Sequence, residues 1–294
     1  SEMQRFKDAL SRVPVVPVIK LYGKIAAPTS GYSRGVINYQ SVKPLLAKAF
    51  KQRRLAALAL RINSPGGWPA QCDLIRNEIN RLSAEHGNIP VLAFIEDMAA
   101  SGGYYLACSA SEIYANRHSL IGSIGALAVH ADLQTALQER ASLALTLHRA
   151  GKRKAIFNNL EAASPESLKF TNYMLQGIHA GFIDVVKSSR GDRLKGAPES
   201  ELFEGDIWLA DKAQQLGLID GVGDLEDVIA KKFGRSARLV DIGPRGWAKF
   251  ASGAAGASDI LQAAAAGGLW SSAAAGDLTA GDGSGFRGGP PLAA

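Results

Sequence analysis

Ser101 stands in the run Asp97-Met98-Ala99-Ala100-Ser101-Gly102-Gly103-Tyr104-Tyr105-Leu106-Ala107, between a stretch suited to a buried strand and one suited to a helix. A serine at a strand-to-helix turn presents its hydroxyl at the sheet edge. The helix start there offers unpaired N–H groups and positive partial charge to a developing oxyanion. Gly102 and Gly103 let the backbone come close to a substrate carbonyl. The logic is that of a nucleophile elbow, without the Gly-x-Ser-x-Gly spelling; an inert turn can also be spelled Ser-Gly-Gly. A nucleophilic serine needs a base. His86, His118, His130, His148 and His179 are isolated, and spacing does not tie any of them to Ser101, because triad members converge in space rather than in sequence. The better candidate lies in Gly151-Lys152-Arg153-Lys154, a basic cluster abutting Ala155, Ile156 and Phe157. Desolvation and neighbouring cations both favour a neutral amine, which can take a serine proton. A solvated basic loop reads the same way.

The elements around these residues are those of an α/β chain. Residues 13–21 read as a first strand, whose prolines place its start at a sheet edge. Residues 42–52 have helical spacing, with Leu45, Leu46 and Phe50 on one side. Residues 55–62 form a buried strand that ends in the loop Asn63-Ser64-Pro65-Gly66-Gly67. A helix over 71–82 follows, through Leu74, Ile75, Ile79 and Leu82, and then a strand over 91–95. This alternation predicts βαβ units and a parallel sheet, with functional loops at the carboxyl ends of the strands. The loops at 63–67 and 98–103 are both of that kind. Further strands are expected at 112–115, 126–129, 142–148 and 237–242, and helices at 133–140, 165–189, 210–216 and 224–233.

The 294 residues suffice for a substantial core, and their composition is that of an ordinary globular protein. A net charge of +6 is mild, and no basic run interleaved with aromatics suggests a nucleic-acid surface. Contact with an anionic membrane surface is compatible with it. Cys72 and Cys108 form neither a CxxC nor a zinc pattern and read as core residues. No apolar run reaches membrane-spanning length, so the chain as given reads as soluble, either cytoplasmic or peripheral at the membrane. Three regions are expected: an extension over 1–12, a domain over 13–242 and an Ala/Gly-rich tail over 243–294.

Taken together and in this order, Asn63-Ser64-Pro65-Gly66-Gly67, the Ser101 run, Gly122-Ser123-Ile124-Gly125 and Gly151-Lys152-Arg153-Lys154 resemble the signal peptide peptidase A (protease IV) family of serine peptidases. The resemblance covers roughly residues 15–228. It implies a fold similar to the Clp protease/crotonase superfamily and a Ser-Lys dyad. Ser101 matches the nucleophile and Lys154 the general base, with Lys152 as its near rival. Ser123 matches a serine that orients the lysine. The oxyanion hole then comes from the Gly102 N–H with an N–H of the Gly66-Gly67 turn. Arg153 departs from the family, which more often has an aromatic residue or histidine beside the lysine. Long members are membrane-anchored and carry two tandem copies, whereas this sequence carries one copy. In short members, neighbouring protomers of a ring supply the serine and lysine of one site.

The reading is a serine endopeptidase that acts on peptides such as signal-peptide remnants or unstructured segments, with small or apolar residues at the cleaved bond. A homo-oligomeric ring is expected, and neither a metal nor an organic cofactor. A substrate strand could add beside residues 125–129, and the tail ending in Pro291-Leu292-Ala293-Ala294 resembles such a substrate. Two alternatives stand: a crotonase-like acyl-CoA enzyme, and a non-catalytic ring-forming scaffold at a membrane surface.

Overall fold

Alternate side chains of the central strands enter two separate apolar layers, so the sheet is covered on both faces. Strand β1 (Val15–Tyr22) sends Val16 and Val18 to one face and Ile19 and Leu21 to the other. Strand β4 (Leu58–Ser64) likewise splits Ala59 from Leu58, Leu60 and Ile62, and β5 (Val91–Ala100) splits Leu92 and Phe94 from Val91, Ala93 and Ile95. This period of two, on strands apolar throughout, is what a parallel sheet between helices requires. The computed structural model describes residues 13–28, 36–130, 133, 139, 146–151, 153–156, 158–159, 161–194 and 198–243.

Helices α1 (Tyr39–Phe50) and α2 (Pro69–Glu85) share the larger layer with α3 (Gly102–Ala107). Asn38 caps α1: its side chain accepts the Ser41 N–H and the Ser41 hydroxyl reaches back, a reciprocal pair that satisfies orphan donors. Strands β2 (Lys24–Ile25) and β3 (Val36–Ile37) form a small parallel pair beside the main sheet. Beyond the centre come β6 (Glu112–Ala115), β7 (Leu120–Gly122) and the long helix α4 (Pro165–Arg190). The chain continues through α5 (Glu199–Leu202), β8 (Ile207–Leu209), α6 (Ala210–Gln215), β9 (Gly221–Val222), α7 (Leu225–Phe233) and β10 (Arg238–Asp241). The main sheet runs β10-β1-β4-β5-β6-β9, all parallel. Helix α7 covers the second face through Leu225, Val228 and Ile229.

Several expectations change. β1 lies between β10 and β4 rather than at an edge. Its prolines are tolerated because of how the ladder bonds alternate. Pro14 and Val18 accept from Arg238 and Ile242 on the β10 side, while Val15 bonds Arg54 and Ala56 on the other. Pro17, of Val15's parity, therefore turns its missing N–H to the β4 side, where the ladder begins only at Val18. β5 extends past Ile95 to Ala100, pairing first with β6 through Leu92–Ile95 and then with β7 through Met98–Ala100. Leu74 is exposed, one helical position off the packed face. Residues 126–129 are not a strand, because consecutive left-handed residues, Gly122 (φ 118°) and Ser123 (φ 53°), turn the chain out of the sheet. The expected helix over 133–140, most of the strand over 142–148, the 1–12 extension and nearly all of the 243–294 tail lie outside the described residues.

Candidate active site

The carboxyl ends of β4 and β5 meet at Ser101, which follows β5 directly and starts α3. Its backbone sits at φ 51° and ψ −123°, a region that non-glycine residues rarely enter and that costs about 1–3 kcal/mol. Two bonds hold it there: its N–H donates to the Gly122 carbonyl at 2.8 Å, and its own carbonyl accepts the Tyr105 N–H at 3.0 Å. The Ser101 hydroxyl itself makes no hydrogen bond among the described residues and is half-buried.

The Gly66-Gly67 turn is pressed against this corner. A Cβ on Gly66 would fall 2.6 Å from the Gly102 nitrogen and 2.8 Å from the Ser101 Cβ, so only glycine allows the approach. Gly67 adopts φ +148°, and a Cβ there would lie 1.8 Å from the Ile25 carbonyl oxygen. Ile25 N–H donates to the Gly66 carbonyl and Trp68 N–H to the Ile25 carbonyl, so this bridge leaves the Gly67 N–H turned away from Ile25. A Cβ on Gly102 would approach the Gly67 nitrogen to 3.1 Å. The Gly66 N–H is taken by Ser64 Oγ at 3.1 Å. Among the described residues, the Gly67 and Gly102 N–H groups have no acceptor. Two free donors close to a serine hydroxyl are the parts from which an oxyanion site can be built.

Ser123 follows the residue whose carbonyl holds Ser101, and its N–H donates to the Asp206 carbonyl at 2.6 Å. Ser101, Gly66, Gly67, Gly102 and Ser123 are thus brought to one corner. Lys154 is not. It lies on an exposed turn, where its N–H donates to the Gly151 carbonyl at 3.0 Å, and its ammonium has no hydrogen bond or ion pair among the described residues. Neighbouring Arg153 is held by Glu166 at 3.1 Å and stacks over Phe170. Lys152 lies outside the described residues. None of the five histidines hydrogen-bonds Ser101; His86 and His130 contact the Leu82 and Glu161 carbonyls.

Sequence reasoning missed what seats the corner. Cys72 Sγ lies beneath Gly102, 2.6 Å from where a Cβ would be, and burial pushes its thiol up to about 12. Burial also pushes Cys108 up to about 11, so neither offers a thiolate rival to Ser101. Tyr105 donates its hydroxyl to Asp73 Oδ1 at 2.8 Å, clamping α3 to α2. Tyr104, fully buried, donates to the Leu218 carbonyl at 2.7 Å. None of these pairings is local in sequence. Among the described residues, no group of three or more His, Cys, Asp or Glu side chains gathers as a metal site would require.

Comparison with known proteins shows the family. The model of peptidase family S49 matches residues 83–236, just over half of the chain. A Brucella melitensis protein named Na(+)/H(+) antiporter NhaA is 36% identical over 231 residues, covering 78% of this chain and 31% of that protein. Protease 4 of Haemophilus influenzae is 28% identical over 194 residues, covering 65% of this chain and 30% of that one. This chain therefore spans about a third of the length of either relative. Among the described residues no helix is long and apolar enough to cross a membrane. The 1510-N membrane-bound stomatin-specific protease of Pyrococcus horikoshii, solved with a substrate peptide, superposes with a TM-score of 0.50 at 18% identity. It covers 82% of this chain and 97% of that one, a likeness of fold. With a family model matching more than half of its length and a largely parallel α/β fold, the chain belongs to peptidase family S49.

Proposed function

We propose that the protein is a serine endopeptidase in which Ser101 attacks a peptide carbonyl and Lys154 carries the proton. The observation that carries this reading is the closeness of the unbonded Gly67 and Gly102 N–H groups to a Ser101 held at positive φ. As the hydroxyl oxygen bonds to the carbonyl carbon, its proton passes to the lysine amine and the carbonyl oxygen becomes the anion that the two N–H groups receive. Collapse expels the amine product, which takes the proton back from the lysine, and water then hydrolyses the acyl-enzyme by the same route. Ser123 orients the lysine.

The base comes from a neighbouring copy of the chain. Two features support this. Within one chain Lys154 is exposed and makes no hydrogen bond with Ser101. Next to its turn, the first part of α4 leaves Leu168, Tyr173 and Met174 exposed, Tyr173 at 69%, and burial sets in with Phe182, Val186 and Arg190. Large apolar side chains left exposed on this half of the helix, among the described residues, suit assembly. Substrates are extended peptides with small or apolar side chains at the cleaved bond. Residues 124–130, out of the sheet and with Leu127 and Val129 exposed, offer an edge along which such a peptide can lie. The 13–242 region forms the peptidase domain.

Hydrolysis of an Ala-rich fluorogenic peptide library tests the proposal, with Ser101→Ala beside the wild type. Cleavage that the substitution abolishes is expected; cleavage that survives it identifies another nucleophile and refutes the assignment. Acyl-CoA turnover in the absence of peptide cleavage would instead favour the crotonase-like alternative.

A further inference from the structure

At the opposite end of the sheet, the amino ends of β1 and β10 and the turn after α1 enclose a cavity of about 350 Å³ lined by Val15, Lys51, Gln52, Arg53, Arg54 and Arg238. Val15 is the hinge of this arrangement. It sits level with Arg238 in the β1–β10 register, and its N–H donates to the Arg54 carbonyl at 2.9 Å. Two stretches nearly two hundred residues apart in sequence thereby place their basic side chains around one hollow. Arg54 is held at φ 61°, so the Lys51-Gln52-Arg53-Arg54 turn is a fixed feature of the backbone. Among the described residues no carboxylate lines the cavity.

Elsewhere among the described residues most arginines are paired. Arg61, Arg81, Arg117, Arg149, Arg153, Arg190 and Arg193 each face a carboxylate. Lys51, Arg53 and Arg238 make no ion pair among the described residues, although all three are exposed and border one hollow. Unmatched like charges gathered in one place repel each other, and an anion relieves that repulsion. The lining includes no aromatic ring for stacking and no acidic acceptor to read a base or sugar, so the site recognises charge and not identity. It also opens on the end face of the sheet, away from the crevice that holds Ser101. The intervening length is that of β5, roughly 30 Å at about 3.3 Å per residue.

We propose that this basic hollow docks the protein on an anionic phospholipid surface by receiving headgroup phosphates, leaving the Ser101 end turned away from the bilayer. The docking is independent of the peptidase chemistry, since no residue of the hollow belongs to the catalytic corner. Guanidinium groups suit it because their planar forks donate two parallel N–H bonds to phosphate oxygens.

Vesicle co-sedimentation of the full chain tests this, using phosphatidylcholine alone and phosphatidylcholine with about one third phosphatidylglycerol. The comparison is between the wild type, an Arg53→Gln/Arg238→Gln variant and an Arg117→Gln/Lys212→Gln variant. The last loses the same charge from residues paired with Asp211 and Glu201. Thermal melting confirms that each variant is folded. Binding only to the anionic vesicles is expected, weakened about 30-fold in the hollow variant at about fivefold per basic group, with the control variant within about threefold of wild type. Weakening between low and high salt is also expected. The proposal is overturned by absence of anionic-vesicle binding, by equal losses in both variants, or by Arg53- and Arg238-dependent binding of duplex DNA in place of vesicles.

Discussion

The Ser101 corner and the Lys154 turn are built in opposite ways. Around Ser101 every constraint is internal: β5 delivers the residue, β7 holds its N–H, and Gly66 and Gly67 are pressed in by Ile25 and Ser64. The N–H groups there are preorganised and need no rearrangement when charge develops. Lys154 sits on a short exposed turn, beside a helix whose first half leaves its apolar side chains uncovered. One half of the proposed dyad is thus complete within a single chain and the other is presented outward. On the proposed reading, the dyad forms only where copies of the chain assemble.

Substitutions can break or sharpen that contrast. Ser101→Ala has the largest expected effect, a loss of about 10⁴-fold or more in kcat measured on a cleaved peptide, with melting unchanged. Arg190→Ala comes next and reads out in stability. Arg190 is fully buried, donates to the Gly217 carbonyl and pairs with Asp220 at 2.9 Å, so its loss leaves that carbonyl unpaired and Asp220 held by Arg193 and the Ile113 N–H alone. A cost of about 3–4 kcal/mol is expected in denaturant unfolding, because a large buried side chain is emptied and a buried acceptor loses its donor. Gly67→Ala should lower kcat by about 2.7–4 kcal/mol of transition-state stabilisation, with KM less affected, since the new Cβ displaces one oxyanion donor. The smallest effect is one of reactivity. Burial raises the Cys72 and Cys108 thiols to about 12 and about 11, so at pH 8 both stay protonated in the folded protein. An aromatic disulfide reagent should titrate neither until denaturant is added, and then both; fast reaction of the native protein would contradict the packing beneath Gly102.

Much of the preformed half was legible because its chemistry is local. Ser-Gly-Gly after an apolar run marks a strand-to-helix turn, and Pro-Gly-Gly after Ser64 marks the turn that meets it. What escaped depended on distant partners. Glu96 and Asp97 interrupt the apolar run of β5, yet the strand continues because β7 supplies a new neighbour there. β8 and β9 are three and two residues long, too short for periodicity to register, and exist only through pairing with β7 and β6. Leu74 was assigned to the wrong face because one residue shifts a helical position by 100°, and Ile75 beside it takes the core. The base was assignable only by resemblance, since nothing in a basic run says which cation meets a serine on another copy.

The most direct test of the divided dyad is complementation. Ser101→Ala and Lys154→Ala chains, each inactive alone, are unfolded together, refolded as a one-to-one mixture and assayed on a cleaved peptide. If each site takes its serine from one copy and its lysine from the next, random mixing restores about one quarter of the sites and a matching fraction of wild-type activity. A mixture as inactive as its components, alongside a wild-type control that refolds to full activity, would place both residues in the same chain and contradict the account.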